Sequence, residues 1–476
     1  MSAVEPSIVN LPLLLIGGLL LGAAVAYLFR AWEQIVALSA SMAVAMIGVL
    51  LWRVDLAATA DNPTATAGFV GSQLSRFGFN FGLDAAALPG LILSFAFAAI
   101  GLLLAARISQ GRGFPAVTLT LLAGYSVLYL LRTAPISPVL VLPLGFLLLS
   151  CITAIGLQAG RVLYGRGPLR WMIAPTLAFP LFIVAKWYID QAPLNPQDDT
   201  PLRIAASLMS FGLLLLMAPT PLHSMQPVSA ESAPPVATSL FSLLYQLALI
   251  AFVVRVLVEL PFMQELSPMT IWFSWAGIVT AIWAGLAALG ANHPGRLWGY
   301  AALYDWGLII LLLSVPGLRT WSLVAFLFVL RAASMFTATT GLMTLEHHLG
   351  HLSLDALRGA GMRMPWNCAA FLLGGLGLVG FPLSAGFAGH WAALQLIAAS
   401  DWRPAAAVLV ASAGAIIAFI RQARVMFGPL VDPYLAREGA VGVVFAAVAL
   451  MISVGLAIAP QLLNSSITRA IIAFSS

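Results

Sequence analysis

Residues 380–390 read Gly-Phe-Pro-Leu-Ser-Ala-Gly-Phe-Ala-Gly-His, and residues 217–227 read Met-Ala-Pro-Thr-Pro-Leu-His-Ser-Met-Gln-Pro. Each stretch interrupts a run of apolar residues that is otherwise long enough to cross a bilayer. Because proline removes a backbone hydrogen bond and clashes with the preceding turn, both stretches predict a broken helix. Paired broken helices in corresponding halves of a chain are typical of transport folds built from inverted repeats. Simple proline kinks are the alternative.

The composition places these breaks in a polytopic membrane protein. Of the 476 residues, 61% are hydrophobic and 8% are charged, and the mean hydropathy is +1.00. Soluble domains contain about 25% charged residues, so a soluble globular enzyme is excluded. Disorder is excluded as well, because it requires low hydrophobicity and high charge. The basic residues are scattered singly between apolar runs, which indicates loops around a lipid bilayer and no nucleic-acid partner.

Hydropathy along the chain predicts fourteen membrane spans, so the expected fold class is an all-α polytopic membrane protein. The spans cover residues 9–29, 35–53, 87–106, 115–131, 138–159, 171–189, 203–218, 237–258, 270–291, 298–317, 320–342, 366–390, 403–424 and 439–460. The two breaks fall in spans seven and twelve. Their separation predicts two inverted five-helix repeats, at about 115–258 and about 270–424, within a single transmembrane domain of residues 1–476.

Loop charges predict the orientation of the spans. The loops after spans one, three and five contain Arg30, Arg107, Arg112, Arg161, Arg166 and Arg170, with Glu33 as their only acid. The loops after spans two, four and six contain more acidic than basic residues. Because loops rich in arginine stay in the cytoplasm, both termini are expected outside, on the periplasmic side of a bacterial inner (plasma) membrane.

No cofactor is expected in this chain. Cys151 and Cys368 lie far apart in apolar stretches, and the absence of a CxxC pair argues against an iron–sulfur site or a disulfide framework. The stretch Glu346-His-His348, followed by His351, contains two histidines at i,i+4 spacing but lacks the HExxH arrangement of metal sites. We interpret it as a solvated cytoplasmic loop.

Six motifs follow one another along the chain. They are Gly82–Leu88, Pro221–His223, Ala233–Val236, Gly295–Gly307, Gly380–His390 and Ile420–Met426. In this order they resemble the antiporter-like membrane subunits of respiratory complex I and of Mrp antiporters, above all the N subunit of bacterial NADH:quinone oxidoreductase. The resemblance extends over nearly the whole chain. It implies a membrane-arm subunit whose partners are other antiporter-like subunits and small membrane subunits, with redox chemistry on separate subunits.

The resemblance also implies a buried row of proton carriers, with a glutamate in span five and lysines in spans seven, eight and twelve. In this sequence those four positions are occupied by Leu147, Leu216, Gln246 and His390. Leucine cannot bind a proton and glutamine does not titrate, whereas a histidine can exchange a proton near neutral pH. The usual carriers are therefore missing from all four positions, and only His390 can titrate in their place, which favours an accessory role.

Two charged residues remain central in their spans. Asp305 lies in span ten and Arg331 in span eleven. A charge at the bilayer centre costs about 2.5–3.5 kcal/mol on insertion scales, so we expect the two side chains to pair across neighbouring helices. We favour a structural ion pair over a proton relay. Further structural charges are expected nearer the ends of spans, at Lys186, Asp190, Arg255 and Arg421.

The leading hypothesis is an accessory subunit of a complex I-like assembly that oxidises NADH or another donor and reduces quinone, with no redox chemistry in this chain. The second hypothesis is active proton translocation along a substituted route through His223, Asp305 and His390. For His223 itself, capping of carbonyls freed by the break competes with proton transfer. A third hypothesis places the chain in a hydrogenase, a cation antiporter or an inorganic-carbon uptake complex. An independent carrier is the least favoured alternative.

Overall fold

The computed structural model describes residues 9–53, 70–71, 73–76, 79–83, 87–132, 138–158, 166–315, 317–430 and 436–463. Arg161 of the arginine-rich loops and residues 84–86 of the first motif lie outside this part of the chain. The described chain is almost entirely helical. Its longer helices are α1 (Leu11–Leu28), α2 (Glu33–Trp52), α3 (Ala87–Arg107), α4 (Phe114–Leu130), α5 (Pro138–Gln158), α6 (Ile173–Gln191), α7 (Thr200–Leu216), α8 (Met225–Ser232), α9 (Pro235–Glu259), α10 (Met269–Leu289), α11 (Pro294–Leu313), α12 (Leu318–Leu349), α13 (Pro365–Gly377), α14 (Phe387–Ala398), α15 (Trp402–Met426) and α16 (Ala440–Ile458).

Each predicted span coincides with one helix or with a pair of half-helices. Eleven helices of the described chain are long and apolar enough to cross a membrane, and α4 and α7 are shorter apolar helices. The polytopic helical fold is therefore confirmed. The count of fourteen spans and the two inverted repeats stay predictions.

Both predicted breaks are present. Helix α7 ends at Leu216 and α8 begins at Met225, while α13 ends at Gly377 and α14 begins at Phe387. In the second break, Gly380 adopts a positive φ of 68°, a conformation that favours glycine because it has no Cβ. The span predicted at 366–390 is thus divided between α13 and α14, and the span predicted at 203–218 is followed, after an irregular segment, by the short helix α8.

Helix α12 is longer than the sequence predicted. It continues past residue 342 to Leu349, so Glu346, His347 and His348 lie on its last turns, and their assignment to a solvated loop was wrong. The polar residues of this segment are compatible with a helix because Thr344 donates its hydroxyl to the carbonyl of Thr340 within the same helix. The helix ends at Gly350, which has a φ of +73°.

Five short strands are the main exception to the helical fold. They are β1 (Val9–Asn10), β2 (Val70–Gly71), β3 (Gln73–Arg76), β4 (Phe79–Gly82) and β5 (Leu131–Arg132). Strands β1 and β2 pair in parallel, whereas β3, β4 and β5 form an antiparallel sheet. Each strand has two to four residues. Strands β2, β3 and β4 lie between predicted spans, whereas β1 and the first residue of β5 fall at the ends of the spans predicted at 9–29 and 115–131.

Glycines let the helices around the centre approach closely. A Cβ on Gly277 of α10 would lie 2.5 Å from the backbone nitrogen of Leu311 on α11, and one on Gly307 would lie 2.6 Å from that of Ala281. Membrane helices associate through such close backbone contacts, because lipid provides no hydrophobic driving force between them. The contact fixes α11, which carries Asp305, against α10.

Candidate functional site

Arg331 of α12 is buried at the centre of the described chain, with 1% of its surface exposed. Its Nη1 donates to Asp305 Oδ2 at 2.6 Å and to the carbonyl of Ala302 at 2.7 Å, so α12 is bonded to α11. Removing two charges from water costs several kcal/mol per ion, and direct hydrogen bonds at these distances offset that cost. Asp305 and Arg331, which the sequence predicted to pair, are thus brought together.

Gln246 of α9 holds the other side of the guanidinium. Its Oε1 accepts from Arg331 Nε at 3.2 Å and from Nη2 at 2.9 Å. Its Nε2 donates to Gln226 Oε1 on α8 at 3.2 Å. The position that the resemblance assigns to a lysine is therefore used here as an acceptor for a buried arginine, and it connects the half-helix α8 to the centre.

His390 of α14 lies near the carboxylate oxygen of Asp305 that Arg331 Nη1 does not bond. Its Nε2 lies 3.1 Å from Asp305 Oδ1, at ion-pair distance but without the alignment of a hydrogen bond. Its Nδ1 lies 2.9 Å from the carbonyl of Gly386, and its ring is parallel to that of Tyr304 with centroids 6.1 Å apart. Because a carbonyl only accepts, the contact with Gly386 is a hydrogen bond when Nδ1 carries a hydrogen.

These side chains form one connected group, which we call the central polar cluster. Its members are Gln226, Gln246, Asp305, Arg331 and His390, and each is 4% exposed or less. The cluster joins five helices, including one half of each broken pair. A buried network of this kind fixes the relative positions of its helices, because every unpaired member would carry a desolvation penalty.

The break in span seven is closed by two aromatic donors. Tyr245 Oη donates to the carbonyl of Leu216 at 2.9 Å, and Trp306 Nε1 donates to that of Met217 at 2.9 Å. These are carbonyls at the end of α7 whose continuing helical partners are missing. The side chain of Leu216 is fully buried and Leu147 on α5 is half-buried, so two of the implied carrier positions are aliphatic.

Comparison with known proteins shows which proteins the chain is similar to. A family model described as NADH:quinone oxidoreductase/Mrp antiporter, TM, matches residues 189–418, which include the whole central polar cluster. The chain is similar to antiporter-like membrane subunits. It is 30% identical to subunit N 3 of the NADH-quinone oxidoreductase of Streptomyces griseus, over 56% of this chain and 48% of that protein. It is 28% identical to subunit 3 of the Escherichia coli formate hydrogenlyase, over 50% of this chain and 37% of that protein.

A solved structure resembles this chain over almost its full length. A chain of the membrane-bound sulfane sulfur reductase, an archaeal respiratory membrane complex, superimposes with a TM-score of 0.77 and 20% identity, covering 97% of both chains. At this identity the likeness shows the fold alone. The sequence matches, in contrast, span about half or less of the length of these curated relatives.

His223 lies apart from the central polar cluster. Its Nε2 accepts a hydrogen bond from Trp283 Nε1 of α10 at 2.9 Å. Because an indole nitrogen only donates, this contact requires a lone pair on Nε2. In the described part of the chain, His223 makes no hydrogen bond or ion pair with Asp305 or His390, so the structure does not join the three residues of the substituted route.

The other charges assigned a structural role lie near helix ends. Lys186 pairs with Asp190 one turn later on α6, and Arg255 Nε lies 2.6 Å from Glu259 Oε1 on α9. Arg421 Nη2 donates to the carbonyl of Ala291 at 2.7 Å. Partly exposed ion pairs of this kind contribute about 0–1 kcal/mol to stability. Breaking one of them should therefore cost less than breaking the buried pair of Asp305 and Arg331.

Besides Tyr245, three further residues at the site were not predicted from the sequence. Gln226 completes the cluster, Tyr304 stacks on His390, and Trp306 caps α7 while lying 5.8 Å from the Arg331 guanidinium. Gln226 offered a signal, since it is an amide beside a proline within the first broken segment. The two aromatic residues offered none, because buried aromatic side chains are common in any membrane core.

Proposed function

We propose that the antiporter-like subunit is an accessory, non-conducting member of the membrane arm of a complex I-like assembly that passes electrons from NADH or another donor to quinone. Its partners are other antiporter-like subunits and small membrane subunits, and its place is the bacterial inner membrane with both termini outside. The observation that supports this proposal is the state of Arg331, which occupies the centre and is bonded to both Asp305 and Gln246.

A permanently charged arginine is a poor proton carrier. A relay needs groups that gain and lose a proton near neutral pH, and a guanidinium stays protonated. Beyond Arg331, the route implied by the resemblance passes Gln246, Leu216 and Leu147, and these side chains do not titrate. Waters bridge only polar cavities, and Leu216 is enclosed by protein. The subunit would therefore occupy its place in the arm and transmit contacts between neighbours.

The accessory role is tested by the number of protons moved per electron. The assembly is reconstituted with wild-type subunit, with His390→Ala and with Asp305→Asn, and proton uptake and electron transfer are measured together. We expect the ratio to be unchanged wherever the assembly remains intact, because the protons cross in other subunits. A lowered ratio in an intact assembly would contradict the accessory role and support translocation through this chain.

Active translocation is the second candidate, and one observation favours it. His390 Nε2 and Asp305 Oδ1 lie 3.1 Å apart, which is a distance at which a proton can be shared or transferred. This candidate requires a continuous route from one face to the other, including a link to His223. The proton-to-electron ratio separates the two candidates directly.

The host assembly is identified by its other members. A complex I-like host is supported by the match to an N subunit, while hydrogenase-type hosts are supported by the match to formate hydrogenlyase subunit 3. A cation antiporter is disfavoured, since Asp305 is already occupied by Arg331. Purification in mild detergent, followed by mass spectrometry, is expected to recover quinone-reducing subunits with this chain. Recovery of hydrogenase or carbon-uptake subunits would contradict the complex I-like assignment.

A further inference from the structure

The contact between His390 and Asp305 is incomplete without an additional proton. The hydrogen bond to Gly386 places one hydrogen on His390 Nδ1. In a neutral imidazole the other nitrogen then carries a lone pair, and that lone pair faces Asp305 Oδ1 at 3.1 Å. Two acceptors at this distance repel each other. A proton on either atom converts the repulsion into attraction.

The charge balance opposes permanent occupation by that proton. With the proton bound, Arg331 and His390 contribute two positive charges and Asp305 one negative charge, or the equivalent with a neutral acid, so the cluster has a net charge of +1. Without the proton the cluster is neutral. A net charge buried at membrane depth is costly, whereas the neutral state leaves His390 facing Asp305 without a bond. The protonated state is thus favoured by the contact between His390 and Asp305 and opposed by the buried net charge. For the unprotonated state the two effects are reversed.

Few other ionisable groups surround this pair. Arg331 of α12 contacts Asp305, and Tyr304 of α11 stacks on His390 while its hydroxyl donates to the carbonyl of Val408 on α15 at 3.1 Å. The group contributed by α9 is the neutral Gln246. Among the described residues, no further acidic or basic side chain makes an ion pair with Asp305 or His390. Arg331, Tyr304 and Gln246 are therefore the neighbouring groups whose charge or hydrogen bonding can change how strongly the pair binds a proton.

The two directions out of the cluster differ in polarity. Towards the end where α9 begins and α12 ends, the buried side chains include Ser242, whose Oγ has no partner, and Ser239, whose Oγ lies 3.5 Å from Thr339 Oγ1. Towards the opposite end, the buried residues that come next on the same two helices are apolar and include Leu249, Phe252, Val253, Val324, Leu327 and Phe328. The nearest buried hydroxyl of these helices on that side is Thr320, at the start of α12. Hydroxyl groups can pass hydrogen bonds to a buried proton site, and aliphatic or phenyl groups cannot.

We propose that His390 and Asp305 form a binding site for one proton, which exchanges with a single face of the membrane, the face where α9 begins and α12 ends. The positive-inside rule predicts that this face is cytoplasmic. The site stores a proton and does not conduct it. The proposal goes beyond the accessory role and does not depend on it, because proton binding is measured on this chain and the accessory role on the whole assembly.

Proton binding is tested by infrared difference spectroscopy of the purified chain in nanodiscs between about pH 5 and pH 8. We expect linked imidazole and carboxyl bands from one shared proton. Both bands should be lost in His390→Gln and also in Asp305→Asn, while the matched variant His223→Gln keeps them. Thermal unfolding confirms that each variant is folded, and Asp305→Glu retains the carboxyl group if Asp305→Asn does not fold. Bands that survive in either folded variant, or an absence of linked bands in wild type, would overturn the site.

One-sided access is tested with single cysteines placed one turn to either side of Gln246. Cys151 and Cys368 are first replaced by serine, and Ser242→Cys and Leu249→Cys are then compared, since both positions are fully buried on α9. Ag⁺ is added to one side of oriented vesicles, and the remaining thiols are labelled after denaturation. We expect loss of labelling only for Ser242→Cys, and only from the face where α9 begins. One-sided exchange would be overturned if Ag⁺ reduced the labelling of neither cysteine. It would also be overturned if Ag⁺ added to the opposite face reduced the labelling of Leu249→Cys.

Discussion

Replacement of Arg331 by methionine is expected to remove most of the folded protein from the membrane. The change keeps an unbranched side chain of similar length but leaves Asp305 and the carbonyl of Ala302 without their donor. Removing one partner of a buried pair typically costs about 3–5 kcal/mol. Native proteins are stable by only about 5–15 kcal/mol, so the loss is a large fraction of the total. Thermal unfolding in detergent and the amount of protein in isolated membranes measure the effect.

Two further variants make this prediction specific. Arg255→Met removes an arginine that is also part of a helix but is partly exposed and paired with Glu259, so we expect a loss below about 1 kcal/mol. The double variant Asp305→Asn with Arg331→Met removes both charges and should recover part of the stability lost in the single variant. If Arg331→Met were as stable as Arg255→Met, the buried pair of Asp305 and Arg331 would not contribute to the stability of the folded protein.

The second large effect is expected from Gly386→Ala in the break of span twelve. A Cβ on Gly386 would overlap the carbonyl oxygen of Gly377, which is backbone and cannot rotate away. The φ of Gly386 is −72°, so the conformation itself suits alanine and the whole effect comes from space. Forcing an extra methyl group into a close-packed site costs about 1–3 kcal/mol. We expect a lower unfolding temperature and a displaced His390, whose Nδ1 bonds to the carbonyl of residue 386.

A glycine with free space provides the matched control. Gly455 lies within α16, and a Cβ there would meet no atom within 4 Å. Gly455→Ala should be neutral or slightly stabilising, because alanine has the higher helix propensity. Infrared bands from His390 should shift in Gly386→Ala and stay unchanged in Gly455→Ala. Equal stability of the two variants would contradict the close contact between α13 and α14.

The helices and their two breaks could be predicted from the sequence because their causes are local. Apolar runs of sufficient length specify spans, and prolines or glycines at 219, 221, 380 and 382 specify the interruptions. The end of α12 was missed for a local reason too. Its last turns are polar, and hydropathy reads polarity as a loop, whereas threonine hydroxyls bonded within the helix let it continue to Gly350.

The site was only partly accessible to sequence reasoning. Asp305 and Arg331 could be paired because unpaired charges within spans are costly, and each had one available partner of opposite sign. The approach of His390 to Asp305 could not be predicted, since it depends on how the half-helix α14 is placed against α11. The same is true of Gln246, which the resemblance marks as a lost carrier and the structure places against Arg331.

The aromatic donors at the first break have one more consequence. Tyr245 and Trp306 hold the end of α7, and the residues next to them in sequence, Gln246 and Asp305, hold the guanidinium of Arg331. Neighbouring side chains on a helix point about 100° apart. Helices α9 and α11 therefore each contact both the end of α7 and the guanidinium of Arg331. A rotation of either helix about its own axis would change its hydrogen bonds to α7 and to Arg331 at the same time. A displacement of the end of α7 would therefore be transmitted to Arg331, and a displacement of Arg331 to the end of α7.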